Sequence, residues 1–452
     1  MTESERIVRI MQMEQYFDVL LQTDPRDIPE NPELEEILSL LTDYCESGRW
    51  LADYEADERG ELPKNLKRGV LSQDGLYNLL HHIDLQIKRR NTMNVDISAL
   101  KMLQELADAP GAPGFEDEVV AVARRWAAPI GELKEDFLRN LYIHRKENTG
   151  DKPVIMLDAH SDEVGLIVQA IKPNGTLRFL PLGSWNKNAL VSSKVLVRNA
   201  LGEYIPGIIA AKPVHYMSAA EKANPTLDIS DMVIDVGAIS YEDAVENFHL
   251  RMGEPVVPAT KFFYDEKRDL IFGKGFDCRI GCAALLEALR RLEGEELPCD
   301  VIAVLSTQEE LGPRNSKVTV HHINPDIAIV MEGCPADDTF AEGYMIQTAL
   351  KKGPMFRHMD ISAICAPRYQ RWALDLAAKE GIPVQEAVRQ GGGNNAASIQ
   401  TALVGAPAIV CGVPVRYANA TNCISSYYDY EMAVQMVMVL LRNITADVIA
   451  GM

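Results

Sequence analysis

The chain has 452 residues, 47% hydrophobic and 24% charged, a composition typical of a globular protein too long for one ordinary core. A formal net charge of -20 argues against nucleic acid as a partner, because phosphate binding relies on clustered lysine and arginine, and it argues equally against an anionic membrane surface. No signal-peptide core, no spanning apolar run and no CxxC pair among the 8 cysteines is found, so a reducing, cytoplasmic location is expected.

The first 90 residues carry helical patterns. Residues 3–23 and 32–48 have apolar residues at helical spacing, separated by a proline-containing turn, which predicts a small α-helical domain. An acidic run and a basic patch follow. We interpret the acidic run as a solvated face that docks on the basic patch, rather than as a cation site. Their members are Asp53, Glu55, Asp57 and Glu58, then Lys64, Lys67 and Arg68. The succession Trp-Leu, Asp-Tyr-Glu-Ala-Asp, Glu-Leu-Pro and Leu-Lys-Arg-Gly-Val-Leu-Ser resembles a small bacterial helical domain of unknown function.

The rest of the chain predicts an α/β domain with an insertion. Residues 97–168 contain two helical patterns broken by PGAPG, and then a strand, a polar loop and a strand in VIMLDAHSDEVGLIV. Short alternating strands with frequent turns occupy residues 169–265 and predict a small β-rich inserted domain. Helical and strand patterns alternate again over residues 266–452.

Acidic residues follow two predicted strands of a parallel sheet. Val301–Leu305 is followed by Glu309 and Glu310, and Ile327–Met331 is followed by Glu332. Strand ends are where open α/β sheets keep their chemistry. Adjacent side chains on an extended segment point in opposite directions, so we expect Glu309 and Glu310 to divide labour, one binding a metal and the other facing the substrate. The alternative is a solvated acidic turn.

A histidine and further carboxylates complete a metal-like set. His160 and Asp162 follow an apolar strand, where a carboxylate can hold an imidazole through its second nitrogen; the alternative is a hydrogen-bonded loop histidine. Asp277 lies between a glycine-flanked turn and a helix, and a helix N-cap is its alternative role. His160, Asp277, Glu310 and Glu332 together supply one imidazole and three carboxylates as ligands, a set that suits Zn, Co or Mn and permits a two-metal site.

Two further motifs have other interpretations. Cys278 and Cys282 are spaced as on one helix face, and buried free thiols are expected there rather than a thiolate metal site. The sequence GGGNNAASI from Gly391 lacks the residues of a phosphate-binding loop, so we expect a backbone that closely approaches something bulky or liganded.

Several motifs occur in a characteristic order from about Ile97 to the end. They are APGAPGFE, AHSDEVGLIV, GIIAAKPVHYM, GKGFDCRIGCAALLEAL, TQEELGPR, PDIAIVMEGCPADDT, QGGGNNAA and GVPVRY. Through them the chain resembles the tetrahedral (M42-type) metalloaminopeptidases, whose members have also been called glutamyl aminopeptidases or endoglucanases. The resemblance implies a phosphorylase/hydrolase-like α/β domain that carries two metals. It also implies an inserted β-barrel that helps to build dimers, which assemble into a hollow tetrahedral dodecamer.

The same resemblance implies the ligands of two divalent ions. His160 would bind the first metal, Asp277 would bridge both, and Glu332 would complete the first site. Glu310 would bind the second metal. Zinc or cobalt is the expected metal, with manganese as a further option, and it would polarise the scissile carbonyl and activate water.

Catalytic roles and substrates are implied in the same way. Glu309 would be the general base and pass the proton of water to the leaving amine, and Asp162 would orient His160. Substrates would be peptides with a free N-terminus, admitted through openings of the homo-oligomer.

One position departs from the family pattern. The family places a histidine ligand of the second metal after the Arg-Tyr of its last strand, whereas this chain has Asn419 there and no histidine after His358. An amide oxygen binds such metals more weakly than imidazole, so a weakened second site is expected. Asn394 and Asn395 stand where relatives often have Thr-Asp or Thr-Asn, which indicates a changed polar network.

Two alternatives follow from these departures and from the older names. The first is a catalytically silent peptide-binding or regulatory homologue, with the helical domain as its partner-binding arm. The second is a metal-independent glycosidase with paired carboxylates. For the enzyme itself, the bulk and negative charge of residues 1–90 predict an altered assembly.

Overall fold

The computed structural model describes residues 3–23, 25–72, 74–92, 95–219, 222 and 227–452. It contains two compact units, Met1–Val95 and Asp96–Met452. The predicted fold class is confirmed, because a helical unit precedes a mixed α/β unit that includes a closed six-stranded barrel. None of the described helices is both long and apolar enough to cross a bilayer.

The amino-terminal unit is helical. Its helices are α1 (Glu3–Gln22), α2 (Pro32–Glu46), α3 (Arg49–Glu58) and α4 (Gly75–Thr92), with a 3-10 turn at Pro25–Glu30. Helix α2 begins where Asn31 accepts a hydrogen bond from Glu33 N and proline takes the first helical position, where no main-chain donor is needed. Buried apolar residues of α1, α2 and α4, including Leu20, Leu41 and Ile83, form the core of this unit.

The acidic run in this unit differs from its prediction at one residue. Arg68 does pair with Asp57, with 2.7 Å between Nε and Oδ1. Asp53, in contrast, lies on no solvated face: it is fully buried and accepts hydrogen bonds from Tyr44 Oη and Arg9 Nε, each at 2.9 Å. The prediction was wrong for Asp53 because a buried carboxylate is stable only when charged and polar partners surround it, and α1 supplies the cation.

The larger unit contains helices and strands in alternation. The helices are α5 (Ile97–Asp108), α6 (Asp117–Ala127), α7 (Tyr241–Glu246), α8 (Phe276–Arg291), α9 (Ser316–Ile323), α10 (Pro367–Glu380), α11 (Ala396–Thr401), α12 (Tyr427–Asn443) and α13 (Ala446–Ala450). The strands are β1 (Gly131–Glu135), β2 (Leu141–Arg145), β3 (Val154–His160), β4 (Gly165–Ile171), β5 (Leu177–Leu182), β6 (Lys194–Arg198), β7 (Tyr204–Ala210), β8 (Val233–Asp235), β9 (Pro255–Pro258), β10 (Phe263–Asp265), β11 (Leu270–Gly273), β12 (Asp300–Ser306), β13 (Ile327–Pro335), β14 (Met355–Met359), β15 (Gln385–Val388), β16 (Ala408–Val415) and β17 (Cys423–Ser425).

An eight-stranded sheet forms the centre of this unit, in the order β1-β2-β12-β3-β13-β16-β14-β15. Strands β12, β3, β13 and β16 are parallel, so their carboxyl ends meet at one edge. Their continuous apolar runs are buried, as expected for strands covered on both faces. Ser306 at the end of β12 is in register with His160 at the end of β3, which brings two site-bearing loops together.

Two strands are longer than predicted. Strand β3 continues to His160, and β13 continues to Pro335, so Glu332 lies within the strand and not after it. The extension arises because β16 pairs with β13 as far as Pro335 and Val415, which no local pattern of β13 reveals.

The remaining strands include a closed barrel, in the order β4-β5-β8-β7-β6-β9. The barrel begins at Gly165, before the expected start of the insertion at residue 169. Its interior is filled by apolar side chains such as Leu166, Phe179, Val197 and Ile234. Residues 220, 221 and 223–226 of the predicted insertion lie outside the described residues.

Candidate metal centre and catalytic groups

The predicted site residues converge around one imidazole. The Nε2 atom of His160 lies 3.2 Å from Asp277 Oδ1, 3.7 Å from Glu332 Oε2 and 3.8 Å from Glu309 Oε2. Glu310 joins the group, because ligand atoms of His160, Asp277 and Glu310 all lie within 4.8 Å of one another. The structure therefore brings together residues from four separate stretches of sequence.

His160 is held from both sides of its ring. Its Nδ1 lies 3.3 Å from Asp162 Oδ1, which leaves Nε2 facing the other carboxylates. Burial alone lowers the pKa of His160, but the neighbouring carboxylates of Asp162 and Asp277 raise it well above its usual value. Asp162 thus occupies the place expected of a residue that orients the imidazole.

Glu309 and Glu310 lie in a tight turn. Strand β12 ends at Ser306, Gln308 has a φ of +56°, and Glu309–Leu311 forms one 3-10 turn. Asp162 accepts hydrogen bonds from the main-chain N–H groups of Glu309 and Glu310, each at 3.0 Å. The expectation of an extended segment was wrong, because these hydrogen bonds curl the chain. Both carboxylates nevertheless reach the site, where they line one cavity.

Asp277 faces the site from the start of α8. Its φ of -85° and ψ of 102° are not helical, and its side chain contacts His160. A close approach to β13 makes this possible: a Cβ at Gly333 would lie 2.3 Å from Phe276 O and 2.8 Å from Asp277 Cα. Glycine is therefore required at residue 333 for the backbone of Asp277 to reach the sheet.

The carboxylates are crowded and buried, and this changes their protonation. Burial raises the pKa of Glu309 to about 7. Burial also raises the pKa values of Glu310 and Glu332 well above the usual range, and the charge of Asp277 adds to both shifts. Glu310 Oε1 is buried without a hydrogen-bond partner among the described residues. Divalent cations would compensate this negative charge and occupy the free oxygen, so the residues present fit a metal centre.

A cysteine also lies at this centre. His160, Cys278 and Glu332 form a second group whose ligand atoms lie within 4.8 Å of one another. Cys278 and Cys282 are buried free thiols, as predicted, and their Sγ atoms contact the main-chain oxygens of Met331 and His160. In the sequence, the proximity of Cys278 to the metal ligands was indicated by its position directly after Asp277.

Asn419 contacts the centre through Glu310. Its Nδ2 donates to Glu310 Oε2 at 3.1 Å, and its backbone has a φ of +56°, a conformation that asparagine adopts more readily than most residues. The amide thus presents its nitrogen, a hydrogen-bond donor, to the carboxyl oxygen of Glu310. In this orientation Asn419 offers no oxygen towards that carboxylate.

Asn394 and Asn395 belong to a polar network beside the centre. Asn395 Nδ2 donates to Asp158 Oδ1 at 2.6 Å and to Ser306 Oγ at 2.8 Å. Asn394 Nδ2 donates to Asp360 Oδ2 at 2.8 Å. Burial raises the pKa of Asp158 to about 6, while the amide of Asn395 opposes that shift.

The centre opens into a cavity of about 640 Å³. Its other walls include Arg357, Arg389 and the glycine turn from Gly391. A Cβ at Gly391 or Gly392 would meet no described protein atom within 4 Å, so the close approach expected at this turn is not an approach to another part of the chain. These glycines instead leave the wall of the cavity open.

One buried carboxylate at the site was not predicted from the sequence. Glu116 accepts a hydrogen bond from Gln308 N at 3.0 Å, beside the turn of Glu309 and Glu310. Burial raises the pKa of Glu116 to about 8, and the charge of Asp162 contributes. Its only sequence signal was its place in the APGAPGFE motif.

Comparisons with known proteins point to one enzyme family for most of the chain. A family model described as M42 glutamyl aminopeptidase matches residues 140–436, and one described as a domain of unknown function, DUF4298, matches residues 10–89. The glutamyl aminopeptidase of Lactococcus lactis subsp. cremoris is 28% identical over 349 residues, which cover 77% of this chain and 97% of the relative. The lysyl aminopeptidase of Pyrococcus furiosus is 29% identical over 352 residues, covering 76% and 97%.

Solved structures show the same relationship. A TET aminopeptidase from a marine sediment Thaumarchaeota archaeon has a TM-score of 0.75 and 33% identity, covering 78% of this chain and 99% of that one. The TET1 peptidase of Pyrococcus horikoshii, which can assemble into a tetrahedron or a large octahedral shell, has a TM-score of 0.69 and 27% identity, covering 76% and 100%.

Proposed function

The chain belongs to the M42 glutamyl aminopeptidase family and is a metal-dependent aminopeptidase, for which we propose a site at the carboxyl edge of the sheet. His160 and Glu332 would hold one divalent ion, Glu310 would hold a second, and Asp277 is placed to serve both. Zinc or cobalt suits this set of nitrogen and oxygen donors, and manganese is compatible with it. The convergence of these ligand atoms on one cavity carries the proposal.

Glu309 is proposed as the general base. When bound, the metal ions would polarise the scissile carbonyl and lower the pKa of the attacking water. Glu309 Oε2 lies 3.8 Å from His160 Nε2 and lines the cavity, so it is placed to accept the proton of water and return it to the leaving amine.

Asp162 is proposed to orient the site and not to react. It lies beside His160 Nδ1 and also accepts hydrogen bonds from the main-chain N–H groups of Glu309 and Glu310. One buried carboxylate therefore fixes the imidazole together with the turn that carries the base and a ligand. Asn419 is proposed as the weak member of the second site, since it holds Glu310 through its amide nitrogen.

Substrates and surroundings follow as further proposals. Peptides with a free N-terminus are the proposed substrates, in keeping with membership of an aminopeptidase family. Homo-oligomers from a dimer to a dodecamer, built through the inserted barrel of strands β4 to β9, and a cytoplasmic location are proposed as well. Residues 1–90 are proposed to alter that assembly, which light scattering of the full chain and of a chain lacking them would test.

Metal removal and reconstitution test the function. The chelated protein is expected to release no amino acid from aminoacyl chromogenic substrates, and added Zn, Co or Mn is expected to restore release. Release of amino acid that persisted after complete chelation would contradict the proposal, whereas release that is lost on chelation also rules out the metal-independent glycosidase. The alternative of a silent peptide-binding protein has no observation in its favour, since the glutamyl and lysyl relatives are aminopeptidases by name.

A further inference from the structure

We propose that Glu116 is a positioning residue for the aminopeptidase reaction. Its carboxylate fixes the turn that presents Glu309 and Glu310 to the metal centre. This inference rests on the function proposed for those two residues. Glu116 itself lies in the segment before α6, far in sequence from the turn, and we assign it no contact with substrate or metal.

The contacts of Glu116 are those of a buried anchor. Its side chain is 1% exposed, and Oε1 accepts hydrogen bonds from Gly114 N at 2.9 Å and from Gln308 N at 3.0 Å. Two main-chain N–H groups, one from its own loop and one from the distant turn, thus share one buried side-chain oxygen. The carboxylate therefore ties its own loop to the residue directly before Glu309.

The anchored residue is the strained one. Gln308 has a φ of +56°, in the left-handed region that side chains other than glycine seldom adopt. Such a conformation persists only where surrounding contacts over-determine it, and it clusters at functional sites. The hydrogen bond to Glu116 is formed by the N–H group of this residue.

The neighbours of Gln308 are held by other side chains. Thr307 N donates to Asn140 Oδ1 at 3.0 Å, and Glu309 N and Glu310 N donate to Asp162. Consecutive main-chain N–H groups from residue 307 to 310 thus each have a buried acceptor. Asp162 also contacts His160, so changing Asp162 would disturb a proposed metal ligand directly. The two hydrogen bonds of Glu116 come instead from its own loop and from the turn.

Matched variants separate this role from general stability. Glu116→Ala removes the acceptor, while Glu116→Gln keeps Oε1 and its two hydrogen bonds. Asp300 provides the control: it lies at the other end of β12, is 3% exposed, and accepts Thr149 N at 2.8 Å and Gly150 N at 2.6 Å. Asp300→Ala therefore removes a similar buried acceptor from the same strand, away from the cavity.

The first readout is the kinetics of the metal-loaded enzyme. Loss of a residue that supports a catalytic group typically lowers activity by about 10- to 100-fold, so E116A is expected to lower kcat by this factor. KM is expected to stay within about threefold, because the groups that bind substrate are unchanged. E116Q should retain kcat within about threefold, and D300A should do the same.

The second readout uses the metal-free protein and needs no activity. Hydrogen exchange followed by mass spectrometry is expected to show faster exchange in peptides that cover residues 307–310 of E116A. Peptides of β3 should exchange as in the wild type, and neither E116Q nor D300A should loosen the turn. If E116A fails to fold, Glu116→Asp, with its shorter reach, takes its place and is expected to show the same changes to a smaller degree.

The possible results discriminate clearly. Unchanged kcat in E116A, an unchanged exchange rate at the turn, or an equal loss of kcat in E116A and D300A would overturn the positioning role. A wild-type protein without metal-dependent turnover would instead contradict the proposed function, and the exchange experiment would still decide whether Glu116 holds the turn.

Discussion

Replacing Asn419 by histidine is expected to strengthen the binding of the second metal ion. In the structure Asn419 Nδ2 donates to Glu310 Oε2 at 3.1 Å, and we expect a cation to take this oxygen from the amide. A hydrogen bond to a charged group contributes about 1.5–3 kcal/mol, so removing this competition corresponds to about 10- to 150-fold in the dissociation constant. The imidazole adds a nitrogen ligand to this gain.

The backbone of residue 419 accommodates the change. Its φ of +56° is in a region where asparagine and histidine are both enriched over other residues, so N419H introduces little strain. Asn419→Ala is the matched control, because it removes the amide without supplying an imidazole. The difference between the two variants therefore measures the contribution of the ring.

Isothermal titration calorimetry of the metal-free proteins with Zn or Co measures the effect directly. Wild type is expected to bind one ion tightly and a second weakly, while N419H binds the second ion at least about tenfold more tightly. N419A should fall between them. Equal affinity of wild type and N419H for the second ion would refute the reasoning, since Asn419 would then not limit that site.

The remaining predictions concern the base, the protonation of the site and the helical unit. Glu309→Gln is expected to lower kcat by about 10²- to 10⁴-fold with unchanged metal content, and a smaller loss would contradict its role as the base. Because burial raises the folded-state pKa of Glu309 to about 7, the metal-free protein loses stability as pH rises from about 4.5 through 7. The increase in unfolding temperature on adding metal should therefore be larger at pH 8 than at pH 5, and a constant increase would refute this. Asp53→Ala should destabilise the helical unit by about 3 kcal/mol in urea denaturation, because Arg9 loses its buried partner; no change would contradict that account.

Sequence reasoning succeeded where a local pattern determines the structure. Apolar runs predicted the parallel strands β12 and β13, and polar residues at the ends of apolar runs led to His160 and Glu310. Parallel strands necessarily bring the residues at their carboxyl ends to one edge of the sheet. The ordered motifs, through the family resemblance, then assigned ligand and catalytic roles to these residues. The inserted β-rich segment was recognisable because its alternating pattern differs from its surroundings.

Features that depend on contacts between distant residues were not predictable in this way. Glu116 acts through the N–H group of Gln308, and no spacing rule relates the two. The tight turn at Glu309 depends on hydrogen bonds to Asp162, and the burial of Asp53 depends on arginines from another helix. In each case the conformation or burial of the residue depends on a main-chain or charged partner that is distant in sequence. Local sequence propensity contains no information about that partner.

Metal content per chain, measured together with turnover, tests the central claim most directly. Protein purified without chelator would be analysed for metals before and after incubation with Zn, Co or Mn, and the same samples assayed on aminoacyl chromogenic substrates. The account predicts bound divalent metal, turnover that rises with its content, and a second equivalent that is lost more readily than the first. Protein that releases no amino acid from any substrate when fully loaded, or that is equally active without metal, would contradict it.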